Sequence, residues 1–453
     1  MKPWRWVAVC AAVCVSASAQ ERATRGDLAL AYMAVERALA SEPQRAESLR
    51  VKTNRDFDQA TLAFFSGATG KALRGLRALT VELLGQLPGD GEGIPLGVTL
   101  EPAVWVRGSA APRVVLAEPF AGEAGLELRL VSLREPQVVG RCRLEPGESA
   151  VSFSAAELPA GVYTLEARAR RAYLPLARFT VCDTDPEALR GQLSARLDRL
   201  PKSPEAEVLR ARLGLLTKTP DPQDTTQVLS ELPALGPSLR AELASLERGD
   251  DPYRARLGST WRPYRVGGSA VGLRVYAPEA ARRAEPLPLV VAFHGAGGDE
   301  NMFAWGYGGG VLEELAEEHG FLLASPRTEA FVRGPGRAFE ALLATLADDY
   351  RIDRRRIYCL GHSLGVMALD GVLRGAGDRL AGALCFSGMP RARSALPTHA
   401  LLGANDPLVP ARSAKSPRPS LELEVLEGYG HTLGVGPSLP AEVEWLLGRP
   451  GWL

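Results

Sequence analysis

The chain has 453 residues, 46% of them hydrophobic, enough to bury ordinary globular cores and to exclude a disordered or fibrous protein. Its 53 basic residues balance 53 acidic ones without a long run of either sign, so neither nucleic acid nor an anionic membrane surface is an expected partner. The length suggests about three domains.

The first residues place Lys2 and Arg5 ahead of an apolar run from Trp6 to Val15, followed by Ala17-Ser18-Ala19. This is the pattern of a secretory signal, residues 1–19, with cleavage expected after Ala19 and a secreted or periplasmic product. The apolar run is about half of the ~20 residues that a membrane-spanning helix needs, so no stable span is expected after cleavage.

Residues 20–90 read as helical, with Leu28, Tyr32, Val35 and Leu39 on one stripe and Leu73, Leu76, Thr80 and Leu83 on another. The Pro/Gly cluster LPGDGEGIPLG, 87–97, reads as a linker. Over 95–183 short runs alternate with period two, as in Leu126-Glu127-Leu128-Arg129-Leu130 and Val162-Tyr163-Thr164-Leu165, and predict a small β-sandwich. The phrase LPAGVYTLEARA in it resembles the late strand pair of immunoglobulin-like and fibronectin-like modules. Such a module implies a spacer, with carbohydrate or polymer contact as the alternative. Residues 184–255 return to helical patterning, opened by Asp185-Pro186-Glu187 and continued by Leu189, Leu193, Leu197 and Leu200, with a second helical stretch over 224–247.

Once the signal is removed, Cys142, Cys182, Cys359 and Cys385 remain. Export permits disulfides, and Cys142 and Cys182 share the β-region, so a bridge between them stays open. Cys359 and Cys385 fall in apolar strands and read as core. The histidines and cysteines show no metal-ligand spacing, and neither a metal nor a cofactor is expected.

From 260 to 453 apolar strands alternate with amphipathic helices, which predicts an α/β domain with a doubly wound, mostly parallel sheet whose chemistry collects at the carboxyl ends of its strands. The strand IYCL runs into Gly361-His362-Ser363-Leu364-Gly365. With 47 glycines in the chain such a run arises easily by accident, and it gains meaning only from its company. That company is His294-Gly295-Ala296-Gly297-Gly298 after the strand LPLVVAF, Asp406 after the strand HALLG, and His431 after LELEVLEG. A serine hydroxyl needs a base, the base needs an orienting acid, and the oxyanion needs backbone N–H donors, so Ser363, His431 and Asp406 are the expected nucleophile, base and acid, with Ala296 and Leu364 as oxyanion donors.

The order Ser363, Asp406, His431, with HGAGGDENMF, GHSLG and GANDPLVP, resembles the α/β-hydrolase superfamily, and within it the exported esterases grouped with polyhydroxybutyrate depolymerases, feruloyl esterases and prolyl-oligopeptidase-like hydrolases. The resemblance implies a cofactor-free serine hydrolase acting on small or polymer-linked esters. A peptidase of prolyl-oligopeptidase-like type and a catalytically weak binding module are the alternatives. Phe303, Trp305, Tyr307 and His362 are candidate substrate contacts, whereas His294 is expected to brace the oxyanion loop by a hydrogen bond. Two departures stand out. Val366 occupies a position where many relatives have glycine and is expected to tighten the elbow helix. The short, Pro-rich stretch before His431 is expected to leave the acid and base loops nearer to solvent.

Overall fold

A computed structural model of the protein describes residues 23–86, 93–95, 97–132, 137–218, 232–413 and 419–449. The expected signal peptide, most of the 87–97 linker and the start of the 224–247 stretch lie outside the described residues. Among the described residues no helix is long and apolar enough to cross a membrane. The chain divides into two compact units, Met1–Ala188 with Thr217–Leu235, and Leu189–Leu216 with Gly236–Leu453.

The first unit opens with four helices, α1 (Arg25–Ser41), α2 (Pro43–Ser48), α3 (Arg50–Phe65) and α4 (Thr69–Leu83). Thr24 caps α1 in a reciprocal pair with Asp27, which satisfies two of the amides that a helix start leaves open. Leu28, Val35, Leu73, Leu76 and Leu83 are buried, so the apolar stripes are the packed faces.

Eight strands follow: β1 (Val98–Glu101), β2 (Val104–Val106), β3 (Arg113–Leu116), β4 (Leu126–Ser132), β5 (Val138–Leu144), β6 (Ala150–Ser152), β7 (Gly161–Ala169) and β8 (Ala172–Cys182). They form a three-stranded sheet, β1-β3-β6, and a five-stranded sheet, β2-β8-β7-β4-β5. Leu100, Val114 and Leu116 of one sheet and Leu128, Leu165 and Phe179 of the other share one core, because alternate residues of each strand point the same way.

Cys142 and Cys182 are both free thiols. Cys142 lies on β5 and Cys182 on β8, with β7 and β4 between them. Three strand spacings amount to about 14 Å, twice the reach of a disulfide, so the bridge left open by the sequence does not form. Burial pushes both thiols up to about 11.

Three helices, α5 (Pro186–Leu197), α6 (Pro204–Leu213) and α7 (Leu232–Glu247), lie wholly or for most of their length in the second unit. The buried Glu242 on α7 accepts two hydrogen bonds from Arg212 of α6, each 2.9 Å, one from Arg256 at 2.6 Å and one from the Tyr253 hydroxyl at 3.1 Å. A carboxylate so enclosed is tolerable only with this many donors.

The remaining strands are β9 (Gly258–Val266), β10 (Ser269–Ala277), β11 (Leu287–Phe293), β12 (Leu322–Pro326), β13 (Ile352–His362), β14 (Gly382–Phe386), β15 (Thr398–Gly403) and β16 (Leu421–Leu426). They make one eight-stranded sheet in the order β16-β15-β14-β13-β11-β12-β10-β9. The pairs β9/β10 and β10/β12 are antiparallel, and all others are parallel. Its helices are α8 (Val311–His319), α9 (Glu329–Arg333), α10 (Pro335–Asp349), α11 (Leu364–Ala376) and α12 (Val435–Leu447).

Strand β11 is apolar throughout because both of its faces are covered. Leu289, Val291 and Phe293 pack with Phe339 and Leu342 of α10 and with Leu369 of α11, while Val290 and Ala292 pack with Leu312 of α8 and Leu439 of α12. The sequence order turns back on itself at β11, between β12 and β13, the kind of switch point beside which ligands bind in open α/β sheets.

Candidate active site

Strand β13 ends at His362 and α11 starts at Leu364, leaving Ser363 alone at the turn with φ 52° and ψ −109°. An L-residue enters this region only under constraint. The constraint is closeness: a Cβ on Gly361 would lie 2.6 Å from the Gly365 carbonyl oxygen, so the turn closes only with glycine there. Ser363 is half-buried, and its hydroxyl faces the loops that follow β15 and β16.

Those loops deliver the other two residues. Asp406 follows β15, and its Oδ1 accepts the Leu408 and Val409 amides at 2.8 and 2.9 Å, which fixes the carboxylate in an Asx-type turn. Its Oδ2 lies 2.8 Å from His431 Nδ1, and His431 Nε2 lies 2.9 Å from Ser363 Oγ. A carboxylate only accepts, so Nδ1 carries the imidazole proton and Nε2 presents its lone pair to the serine hydroxyl. The arrangement can take the Ser363 proton and stabilise the imidazolium that forms.

The acid and base loops are tied by hydrogen bonds from Asn405 N–H to Tyr429 O at 3.0 Å and from Ala404 N–H to Leu426 O at 3.0 Å. Between them the described residues hold one short 3-10 turn, Ala411–Ser413, and β16. The expected exposure does not follow: Asp406 and His431 are both buried, because the two loops continue the ladder of β15 and β16 and cover each other.

Phe293 of β11 stands level with Gly361 of β13, so the chain leaving β11 emerges beside the serine turn. Gly298 N–H bonds to Gly295 O at 3.2 Å and closes a turn over Ala296 and Gly297, the latter at φ 83° where glycine is the natural occupant. His294 braces it. Thr328 N–H donates to His294 Nε2 at 3.1 Å, so Nδ1 holds the proton and donates to Gly295 O at 2.9 Å. Leu364, as the first residue of α11, has an N–H that no intrahelical acceptor takes.

Val366 is buried against Gly388, where an added Cβ would fall 3.0 Å from the valine Cβ. The bulk expected to tighten the elbow is thus accommodated by the glycine after β14.

The aromatic residues need correction. Phe303 and Tyr307 are buried in the core, stacked edge to face at 4.7 Å. His362 is buried as well, 2.8 Å from the Tyr307 hydroxyl through Nδ1. Only Trp305 is half-exposed, and one face of its ring is covered by Arg274 at 4.1 Å. Two exposed apolar side chains are near the triad in sequence: Met367, four residues after Ser363, is 51% exposed, and Leu408, two residues after Asp406, is 37% exposed. Sequence reading also missed Ser387, which follows β14 with a positive φ of 51° and donates its hydroxyl to the His431 carbonyl at 2.6 Å. Its position at a strand end in the run FSG was the available signal.

Among the described residues, one group of possible metal donors lies together, His399, Glu424 and Glu442. His399 Nδ1 is already engaged by Glu442 of α12 at 2.7 Å, and His399 sits at the amino end of β15, the opposite end from the Asp406 loop.

Strand order, serine turn, and acid and base loops follow one plan. Residues 258–413 and 419–449 form an α/β unit with a mostly parallel sheet whose strand order and serine turn resemble those of α/β hydrolases. No family model matches the chain, and no curated protein matches it. Similar solved structures include an S-formylglutathione hydrolase from Agrobacterium tumefaciens, 17% identical over 43% of this chain and 97% of that one, with a TM-score of 0.35. An acetyl xylan esterase from Aspergillus awamori is 14% identical over 41% of this chain and 98% of its own, with a TM-score of 0.34. A feruloyl esterase module from Clostridium thermocellum is 15% identical over 39% and 83%, with a TM-score of 0.33.

Proposed function

We propose that this protein is an exported serine hydrolase that cleaves carboxylic esters through Ser363, His431 and Asp406. The observation that carries the reading is His431 standing between the other two, 2.9 Å from Ser363 Oγ and 2.8 Å from Asp406 Oδ2. Ser363 Oγ attacks the ester carbonyl while His431 Nε2 takes its proton, and Asp406 stabilises the imidazolium. The Ala296 and Leu364 amides receive the oxyanion, His431 protonates the leaving alcohol, and water then releases the acid by the same path. Met367 and Leu408 meet the apolar part of the substrate in place of the buried aromatics.

The export reading rests on Lys2, Arg5, the Trp6–Val15 run and Ala17-Ser18-Ala19, and a mature protein beginning at Gln20 would support it. Polymer-linked esters are included in the substrate class, with the β-rich part of the first unit as spacer or polymer contact.

Hydrolysis of p-nitrophenyl acetate and butyrate, compared with peptide p-nitroanilides, tests the reaction class. Ester turnover that disappears in Ser363→Ala supports the reading. Faster turnover of the anilides, or ester turnover unchanged in Ser363→Ala, overturns it.

A further inference from the structure

The reaction described above gives His362 no task, yet both of its ring nitrogens are engaged. Nε2 lies 2.9 Å from the His431 carbonyl oxygen, which can only accept, so Nε2 carries the proton. Burial, with the nearby His431 ring as the second cause, pushes His362 down to about 3, so the ring is neutral at working pH and Nδ1 offers a lone pair. The Tyr307 hydroxyl donates to that lone pair at 2.8 Å, and the Tyr307 oxygen accepts Gly295 N–H at 3.3 Å. Every bond in the chain therefore has a fixed direction, running from the oxyanion loop through Tyr307 and His362 to the main chain of the base.

We infer that His362 is a positioning residue that fixes the His431 carbonyl, and with it the aim of the imidazole at Ser363, and locks both to the oxyanion loop through Tyr307. The inference rests on the serine-hydrolase reading. Ser387 donates to the same carbonyl at 2.6 Å, so the base is gripped from the ends of β13 and β14 together. Rigid support of this kind matters because a misaim of about 1 Å costs on the order of 100-fold in rate. The neutral state matters too. The His362 and His431 ring centroids are 5.1 Å apart, and a charged His362 would oppose the imidazolium that forms on His431.

Tyr307→Phe removes one hydroxyl and leaves the ring packing intact, while His362→Phe removes the whole relay and His362→Gln restores a donor for the His431 carbonyl. The measurements are kcat and KM on p-nitrophenyl butyrate, the pH profile of kcat/KM, fluorophosphonate labelling and the melting temperature. Tyr307→Phe is expected to lower kcat roughly 10-fold and His362→Phe about 100-fold, with KM nearly unchanged, because aim rather than binding is lost. The acid-side inflection of kcat/KM shifts in both. The double variant falls no further than His362→Phe alone, since both act through one chain of contacts. His362→Gln recovers part of kcat. Should Tyr307→Phe keep wild-type kcat and pH profile, or should the two losses simply add, the positioning role is wrong while the hydrolase reading stands. A folded wild type that neither labels nor hydrolyses esters removes the underlying reading itself.

Discussion

Gly365 and Phe293 are packed so closely that a Cβ on the glycine would lie 1.9 Å from the Phe293 carbonyl oxygen. The first turn of α11 therefore rests directly on the backbone of β11, and this contact holds the serine turn against the loop that begins at His294. No rotamer relieves a clash between Cβ and main chain. Gly365→Ala is expected to destabilise the protein by roughly 3 kcal/mol and to move the elbow away from the oxyanion loop. A lowered melting temperature with more than about 10-fold loss of esterase activity would agree with this, and an unchanged Tm would not.

Asp406→Asn separates orientation from folding. The asparagine Oδ1 can still accept the Leu408 and Val409 amides, so the turn should survive. Its amide group, however, would face His431 Nδ1 as a donor, which favours the tautomer with the proton on Nε2, where it cannot accept from Ser363. A fall in kcat of about 10⁴-fold at near-constant KM and Tm is expected. Steady-state kinetics and circular dichroism check it together.

His399 should make stability depend on pH. Its hydrogen bond to Glu442 raises its pKa above the ordinary value of 6.5, with burial opposing and Glu442, Glu422 and Glu424 contributing charge. The folded state therefore favours the protonated ring. The stabilisation is fully present below about 6.5 and is lost as pH rises through the elevated folded value. His399→Phe should flatten denaturant-unfolding stability over that window. A wild type whose stability rises across the same window, with no change in the variant, would contradict the assignment.

The middle of the large sheet was legible because β11, β12, β14 and β15 are buried on both faces and therefore read as apolar runs, such as LPLVVAF. Ser363 and Asp406 could be named since each follows such a run, His431 since it follows the alternating edge strand LELEVL, and the structure brings the three within hydrogen-bonding distance. What failed were inferences about direction. Phe303 and Tyr307 sit close after the His294–Gly298 loop in sequence but enter the core, whereas Trp305 between them stays half-exposed. Distance across a sheet was equally hidden. Cys142 and Cys182 share one sheet, and only strand order reveals that two strands separate them. The relay from Gly295 to His431 was invisible for the same reason, since it joins residues 12, 55 and 69 positions apart.

The most direct test of the triad is covalent labelling of the folded protein with a fluorophosphonate, followed by peptide mapping of the adduct. The expected result is a single adduct on Ser363, absent in Ser363→Ala and formed far more slowly in His431→Ala. A folded wild type that forms no adduct, or an adduct on another residue that persists in Ser363→Ala, would contradict the assignment of Ser363 as the nucleophile.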